Sequence, residues 1–235
     1  MNKQSNTYTV IYIIVLAAVV GTALAFTSLS LRSKQTENAD IDKMRQILAS
    51  VHITPEKGKI GDDFSKYIVS QKVINSSGEE IPGNAFNINV AEQIRLADDD
   101  RKLPVFECRL ENGDLKYILP VYGAGLWGPI WGYVAIDSNG STIFGAYFAH
   151  QGETPGLGAE IEKPVFSDQF EGKQLIKDNE FMPISVVKSG QKPTGNEDYV
   201  DGVSGGTITS KGVGSMLANC LAPYSTFLIN LNKKQ

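Results

Sequence analysis

The chain has 235 residues, 42% of them apolar, enough for one domain of ordinary size plus an appendage. Its 22 basic and 26 acidic side chains leave a formal charge of −4, so no basic field exists to grip a phosphate backbone, and nucleic acid is excluded as a partner. The two cysteines and two histidines, Cys108, Cys220, His52 and His150, form no metal-ligand spacing; the cysteines read as buried thiols, with a disulfide in an oxidising compartment as the alternative.

From Gln4 through Leu31 no residue is charged, and Val10 to Phe26 is almost wholly apolar, which predicts a helix able to cross a hydrocarbon core of about 30 Å. The competing reading is a secretory signal ending at Thr22-Ala23-Leu24-Ala25. Its basic region would be only Lys3 and the terminal amine, however, and its apolar run is too long for a signal core. We read residues 1–33 as a retained transmembrane anchor in the lipid bilayer. Arg32, Lys34, Lys43 and Arg45 follow the span while only Lys3 precedes it, which by the positive-inside tendency places the bulk of the chain in the cytoplasm. Those charges alternate with Glu37, Asp40 and Asp42 on a helix whose Ile41, Met44, Ile47, Leu48 and Val51 share a face. Residues 34–53 thus read as a helical stalk, and 54–235 as the main domain.

After Thr54-Pro55, Gly61-Asp62-Asp63 starts a short helix through Phe64 and Tyr67, and Ile68 to Ile74 reads as a strand. Residues 83–101 carry no clear period, with Asp98-Asp99-Asp100 a solvated loop. Val105 to Leu110 and Leu115 to Tyr122 form a hairpin for which Asn112-Gly113 predicts a tight two-residue turn. The stretch from Trp127 to Ile136, the turn Asp137-Ser138-Asn139-Gly140 and Thr142 to Ala149 extend this into an antiparallel meander. Trp127 and Trp131 read either as packing residues or as a stack for a planar ring. Pro164 to Phe170 reads as a short helix, Ile184 to Lys188 as the last strand, and Gly190 to Asn196 as a polar loop. The fold class is α+β, a twisted antiparallel sheet with helices packed on it.

Asp201 through Ser210 places four hydroxyl side chains and three glycines ahead of a helix whose Val213, Met216, Leu217, Cys220, Leu221, Tyr224, Leu228 and Leu231 form one apolar stripe. Such a helix start, with its free N–H groups and partial positive charge, suits a phosphate; the alternative is an ordinary capped turn. Gly202-Val203-Ser204-Gly205-Gly206 also satisfies the G-x-S-x-G elbow of α/β-hydrolases. In that fold the catalytic histidine follows the serine, and here both histidines precede it. A second cluster, His150-Gln151-Gly152-Glu153-Thr154-Pro155-Gly156-Leu157-Gly158, offers glycines for close backbone approach to a flat ligand, with His150 read as structural.

Together, Ser204-Gly205-Gly206-Thr207-Ile208-Thr209 and Glu153-Thr154-Pro155-Gly156-Leu157-Gly158 resemble the S/T-G-A-T-x-T flavinylation motif and E-T-P-G-L-G loop of FMN-binding domains. These occur in the C subunit of the sodium-translocating NADH:quinone oxidoreductase (Nqr) and in the G subunit of the related Rnf complex. The stretch from Leu126 to Tyr133 and the single span are more similar to the Nqr protein. The resemblance implies that a flavin transferase moves FMN from FAD onto Thr207, linking the threonine oxygen to the ribityl phosphate. It implies that Thr209 and Ser210 bond the phosphate oxygens, that Gly205 and Gly206 clear its path, and that Ser204 is a neighbour. Thr154 then meets the polar edge of the ring, Leu157 covers a face, and Glu153, Gly156, Gly158 and Trp127 complete the site. One departure is Gly206 in place of the usual alanine, which implies looser recognition by the transferase.

The implied function is an electron relay from NADH to quinone inside a sodium-pumping complex, with the other membrane subunits as partners. The resemblance places the chain in the cell inner membrane with the FMN domain on the periplasmic side, against the charge count. The alternatives are an Rnf-type or stand-alone flavin relay, and a non-redox anchored binding or assembly module.

Overall fold

The computed structural model describes residues 6–233; Lys3 and Gln4, which enter the charge count and the uncharged run, lie outside them. In chain order the elements are α1 (Asn6–Ala49), α2 (Ile60–Tyr67), β1 (Ile68–Ile74), β2 (Glu80–Ile81), α3 (Val90–Gln93), β3 (Leu103–Arg109), β4 (Leu115–Ala124), β5 (Pro129–Asp137), β6 (Ile143–His150), α4 (Pro164–Ser167), β7 (Ile176–Lys177), β8 (Glu180–Phe181), β9 (Ser185–Val187), β10 (Tyr199–Asp201), α5 (Thr207–Leu221) and α6 (Ser225–Asn232). The chain forms two compact units that meet within α1, between Lys43 and Met44.

In the first unit α1 is uninterrupted, and its apolar run is exposed, from Val10 to Phe26. It is long and apolar enough to cross a membrane. A helix apolar on every side gains nothing from water, and lipid is the solvent that suits it.

The second unit is built on a six-stranded antiparallel sheet in the order β2-β1-β3-β4-β5-β6. Its central strands are buried on both faces, so they read as nearly continuous apolar runs. On β4, Tyr117, Leu119 and Val121 enter one core and Ile118 the other; on β5, Ile130, Val134 and Ile136 oppose Tyr133 and Ala135. The first core is closed by α5, α4 and α6, which contribute Val213, Met216, Leu217, Phe166 and Leu228. The second is closed by Ile47 and Leu48 at the end of α1, by Val51 in the turn after it and by Phe64 of α2. Each fully buried aliphatic or aromatic side chain contributes about 1.5–3 kcal/mol relative to leaving it in water. The result is a sheet with helices on both faces, α+β in class.

Several local expectations change. The Asn112-Gly113 hairpin closes on Leu110 and Asp114 across Glu111, Asn112 and Gly113. Gly113 is left-handed at φ 88°, so the connection is the longer turn that ends in a glycine bulge rather than a two-residue turn. The C-terminal helix breaks at Pro223, which lacks an N–H and obstructs the preceding turn. The apolar stripe nevertheless continues across the break: Tyr224 and Leu228 stay buried, and the Tyr224 hydroxyl donates to the Pro104 carbonyl at 2.9 Å. Nor is β9 the last strand. β10 follows and pairs with it in parallel, Val186 opposite Val200; three residues are too few to show a period in sequence. Residues 83–101, without a clear period, form α3 and two short 3-10 turns, with all three of Asp98, Asp99 and Asp100 exposed.

Candidate functional site

The site is where α5 begins. α5 lies against β4 because Gly212 has no side chain: a Cβ there would collide with the Ala124 carbonyl. That close approach brings the first turn of the helix to the end of β4, beside the loop that follows β6. From the other side β10 delivers the chain, and the Gly202 N–H donates to the Val187 carbonyl at 2.7 Å, clipping the approach to β9.

Gly206 is the N-cap of α5 and no side chain caps it, so the helix opens with its first N–H groups and its positive end uncovered. Thr207 is the first helical residue and is exposed, as are Ser204 and Ile208. Thr209 and Ser210 face inward, 1% and 4% exposed. The Thr209 hydroxyl donates to Glu153 Oε2 at 2.6 Å, and the Ser210 hydroxyl accepts from the Val203 N–H at 2.9 Å. The four hydroxyls of the motif are thus of two kinds, outer and inner.

Glu153 is a buried carboxylate, 5% exposed. Besides Thr209 it receives the Trp127 N–H on Oε1 at 2.9 Å and the Leu126 N–H. Burial works against its charge, but these hydrogen bonds, with His150 adding in the same direction, prevail and hold the carboxyl below the usual glutamate range. One side chain therefore ties together the β4–β5 loop, the loop after β6 and the first turn of α5. Gly158 is glycine for the same reason, since a Cβ there would collide with both the Glu153 carboxylate and the Thr209 hydroxyl. The Glu153 N–H donates to His150 Nδ1 at 3.1 Å, and His150 Nε2 lies 3.8 Å from Glu162 Oε1. His150 is a scaffold residue. Ser204 makes no hydrogen bond to a histidine among the described residues, which disposes of the hydrolase elbow.

The second loop is stiffened from within. The N–H groups of Leu157 and Ala159 converge on the Thr154 carbonyl at 3.1 and 3.2 Å, and the Gly156 N–H donates to Glu160 Oε1 at 3.1 Å. Leu157, 43% exposed, packs its Cδ2 where a side chain on Gly205 would stand. A Cβ on Gly206 would lie 3.2 Å from the Gly158 nitrogen, the Leu157 carbonyl carbon and Val203 Cβ. Glycine at 206 thus sets how closely the two motif loops approach. Thr154 is exposed, and Trp127 is 70% exposed although its own N–H is fastened to Glu153. Trp131 turns elsewhere, donating from Nε1 to Gln46 at 2.9 Å.

Two hollows flank the start of α5. One, of about 450 Å³, is bordered by Val187 and Lys188 at the end of β9 and by Ser204, Thr207 and Lys211. The other, of about 860 Å³, runs over Tyr122, Pro129, Ile208 and Met216. Lys188, Lys211 and Ile208 carry no sequence signal, because lone lysines and an isolated apolar residue on a helix are ordinary surface.

A model of the FMN-binding domain family matches residues 125–222, which begin at the β4–β5 loop and end just past α5. The chain is 35% identical over 228 residues to the C subunit of the Na(+)-translocating NADH-quinone reductase of Vibrio anguillarum, a match that spans 90% of this chain and 89% of that protein. Its counterpart in Vibrio vulnificus strain YJ016 is 36% identical over 214 residues, 84% of each chain. The chain belongs to this C-subunit family. Among solved structures, the C subunit from Parabacteroides distasonis superposes with a TM-score of 0.79 at 47% identity, over 84% of this chain and 96% of that one. NqrC of Shewanella oneidensis superposes with a TM-score of 0.66 at 26% identity, over 83% and 99%. In this member of the NqrC family, the Glu153–Gly158 and Ser204–Ser210 stretches both lie inside the FMN-binding match, and the Thr209–Glu153 hydrogen bond joins them directly.

Proposed function

We propose that the chain is the covalent flavoprotein subunit of a Na+-translocating NADH:quinone oxidoreductase, carrying FMN through its phosphate on Thr207. The observation behind this reading is the exposed Thr207 hydroxyl on the first residue of an uncapped helix, held between two loops that both lie in the FMN-binding match. The residues fit the group: an open helix start and free N–H groups face a phosphate, and a hollow borders the same threonine. In maturation Thr207 Oγ1 forms the new P–O bond and loses its proton; the anhydride P–O bond of FAD breaks and AMP leaves, on a flavin transferase. FMN supplies the redox chemistry when bound, and the protein supplies position.

The site residues divide by what they touch. Ser204, Thr154, Leu157 and Trp127 are exposed and available to the flavin. Glu153, Gly158, Gly206, Thr209 and Ser210 shape the seat from beneath, while Gly205 and Gly156 give the loops their left-handed turns at φ 74° and 76°. The chain relays electrons towards quinone within the complex, beside its other membrane subunits. Residues 1–33 anchor it in the cell inner membrane, 34–53 form the stalk, and the FMN domain of 54–235 lies on the periplasmic side. An Rnf-type relay would use the same site, but identity to an Nqr relative over 90% of the chain favours the Nqr assembly.

The test is ultraviolet fluorescence of the full chain on a denaturing gel after co-production with a flavin transferase. The native band is bright and Thr207→Ala is dark; a bright Thr207→Ala band, or a dark native one, overturns the assignment.

A further inference from the structure

The hollow of about 450 Å³ on the β9 flank of α5 has a composition unlike the rest of the chain. Acidic side chains outnumber basic ones in the molecule, 26 to 22, yet the lining contains Lys188 and Lys211 and no carboxylate. Ser189, Ser204, Thr207 and Ser210 and the amide residue Gln191 are its other polar side chains. Neither lysine has an ion-pair partner among the described residues.

Both lysines are placed by structure already fixed. Lys188 directly follows β9, and the pairing of Val187 with Asp201, continued by the Gly202 N–H bond to Val187, binds that strand end to the segment leading to Thr207. Lys211 lies one helical turn after Thr207, at the i+4 position on the same face of α5. One cation therefore stands on each wall, with the Thr207 hydroxyl bordering the space between. The larger hollow on the opposite flank is differently equipped. It is bordered by Arg95 and by Lys211 as well, but its Arg101 is committed to the carbonyls of Leu96, Ile94 and Asn219 and to Asp98, and Thr207 borders only the smaller of the two.

Building on the reading of Thr207 as the attachment point, we propose that the β9-side hollow binds the phosphate and polyol chain of the flavin, with Lys188 and Lys211 as the phosphate-neutralising residues. A phosphate ester is anionic throughout, before and after attachment. Lysine is a compact, mobile point charge, suited to a group that must arrive as one species and remain as another. The two lysines thus select flavins that carry a phosphate over those that do not.

The test uses the full chain in detergent as Thr207→Ala, purified without transferase, so that binding is read without covalent capture. Affinities for FMN and riboflavin are measured by flavin fluorescence quenching. FMN is expected to bind at least about tenfold more tightly than riboflavin at low salt, about 1.4 kcal/mol, with the preference shrinking as ionic strength rises. Adding Lys188→Gln and Lys211→Gln brings the ratio near one, and the corresponding arginines retain most of it. Because both lysines are exposed, an unchanged melting temperature shows that the fold persists. Equal FMN and riboflavin affinities in Thr207→Ala, or a preference that survives the double glutamine change, overturn the proposal. A bright gel band in Thr207→Ala overturns the attachment site instead, and the two failures are read on separate instruments.

Discussion

Replacing Glu153 tests whether the candidate site is held together as the structure describes. Its carboxylate is 5% exposed and receives the Thr209 hydroxyl, the Trp127 N–H and the Leu126 N–H. Hydrogen bonds to a charged acceptor contribute about 1.5–3 kcal/mol each, and a buried donor left unpaired costs about 1–3 kcal/mol. Glu153→Ala orphans all three donors at once. Water entering the vacated space re-pairs some of them, so the expected loss is about 3 kcal/mol rather than the full sum. Glu153→Gln keeps the volume but loses the charge, and its NH2 must face one of the donors; Thr209 can rotate to accept from it, giving an expected loss of about 1–2 kcal/mol. The pH dependence follows from the sign of the shift. A carboxyl held below its ordinary value contributes stability that is complete above about pH 4.3 and is lost as pH falls through the lower folded value. Glu153→Gln is therefore less stable than the native chain at pH 7, and the gap closes on acidification below about pH 4. Denaturant unfolding of the full chain in detergent, from neutral to acid pH, measures both effects. A Glu153→Ala chain within about 0.5 kcal/mol of native, the range of an inert surface change, would refute the three-segment tie.

Two further outcomes are expected. Gly206→Ala places a methyl 3.2 Å from the Gly158 nitrogen, the Leu157 carbonyl carbon and Val203 Cβ; two of these are backbone, so the loops must part slightly, at about 1 kcal/mol. Thermal unfolding registers that loss while gel fluorescence persists, because Thr207 itself is not crowded, and a stabilised variant contradicts the close approach. Asn196→Cys lies on an exposed loop in a chain whose own cysteines are buried and free. An impermeant maleimide should label it on intact cells, whereas labelling only after lysis puts the domain in the cytoplasm.

The meander was legible because its strands have sharp ends: β1 is the Ile68–Ile74 run itself, and β5 and β6 depart by a residue or two from the segments read in sequence. α5 was legible through its apolar stripe, although its arrest depends on one residue, Pro223, standing where the stripe gives no warning. The parallel β9–β10 pair was not legible, since it is specified by a long-range clip between Val187 and Gly202 rather than by local period. Cys108 and Cys220 were read as buried thiols and are so, in different cores, with burial raising Cys108 to about 11 and Cys220 in the same direction. At the site, composition marked both loops, but not their joint. That Glu153 reaches Thr209, 56 positions away, depends on Gly158 and Gly212 letting backbones close, and a glycine's neighbours cannot be read from its own position in the chain.

The helical geometry of α5 then explains how one hydroxyl-rich run serves two purposes. Successive residues of a helix turn by about 100°, so positions three and four apart share a face while neighbours diverge. Thr207 and Lys211 therefore face outward together, whereas Thr209, Val213, Met216 and Leu217 turn to the sheet. Thr209 can hold Glu153 because it lies two residues beyond Thr207, on the inward side, while Ser210, between the two faces, accepts from the Val203 N–H and borders the smaller hollow. Moving the outer hydroxyl to position 208 would rotate it towards the groove of Tyr122 and Pro129, away from the hollow of Lys188 and Ser204. The spacing between the threonines thus fixes which hollow the Thr207 hydroxyl borders, while Thr209 ties the same helical turn to Glu153.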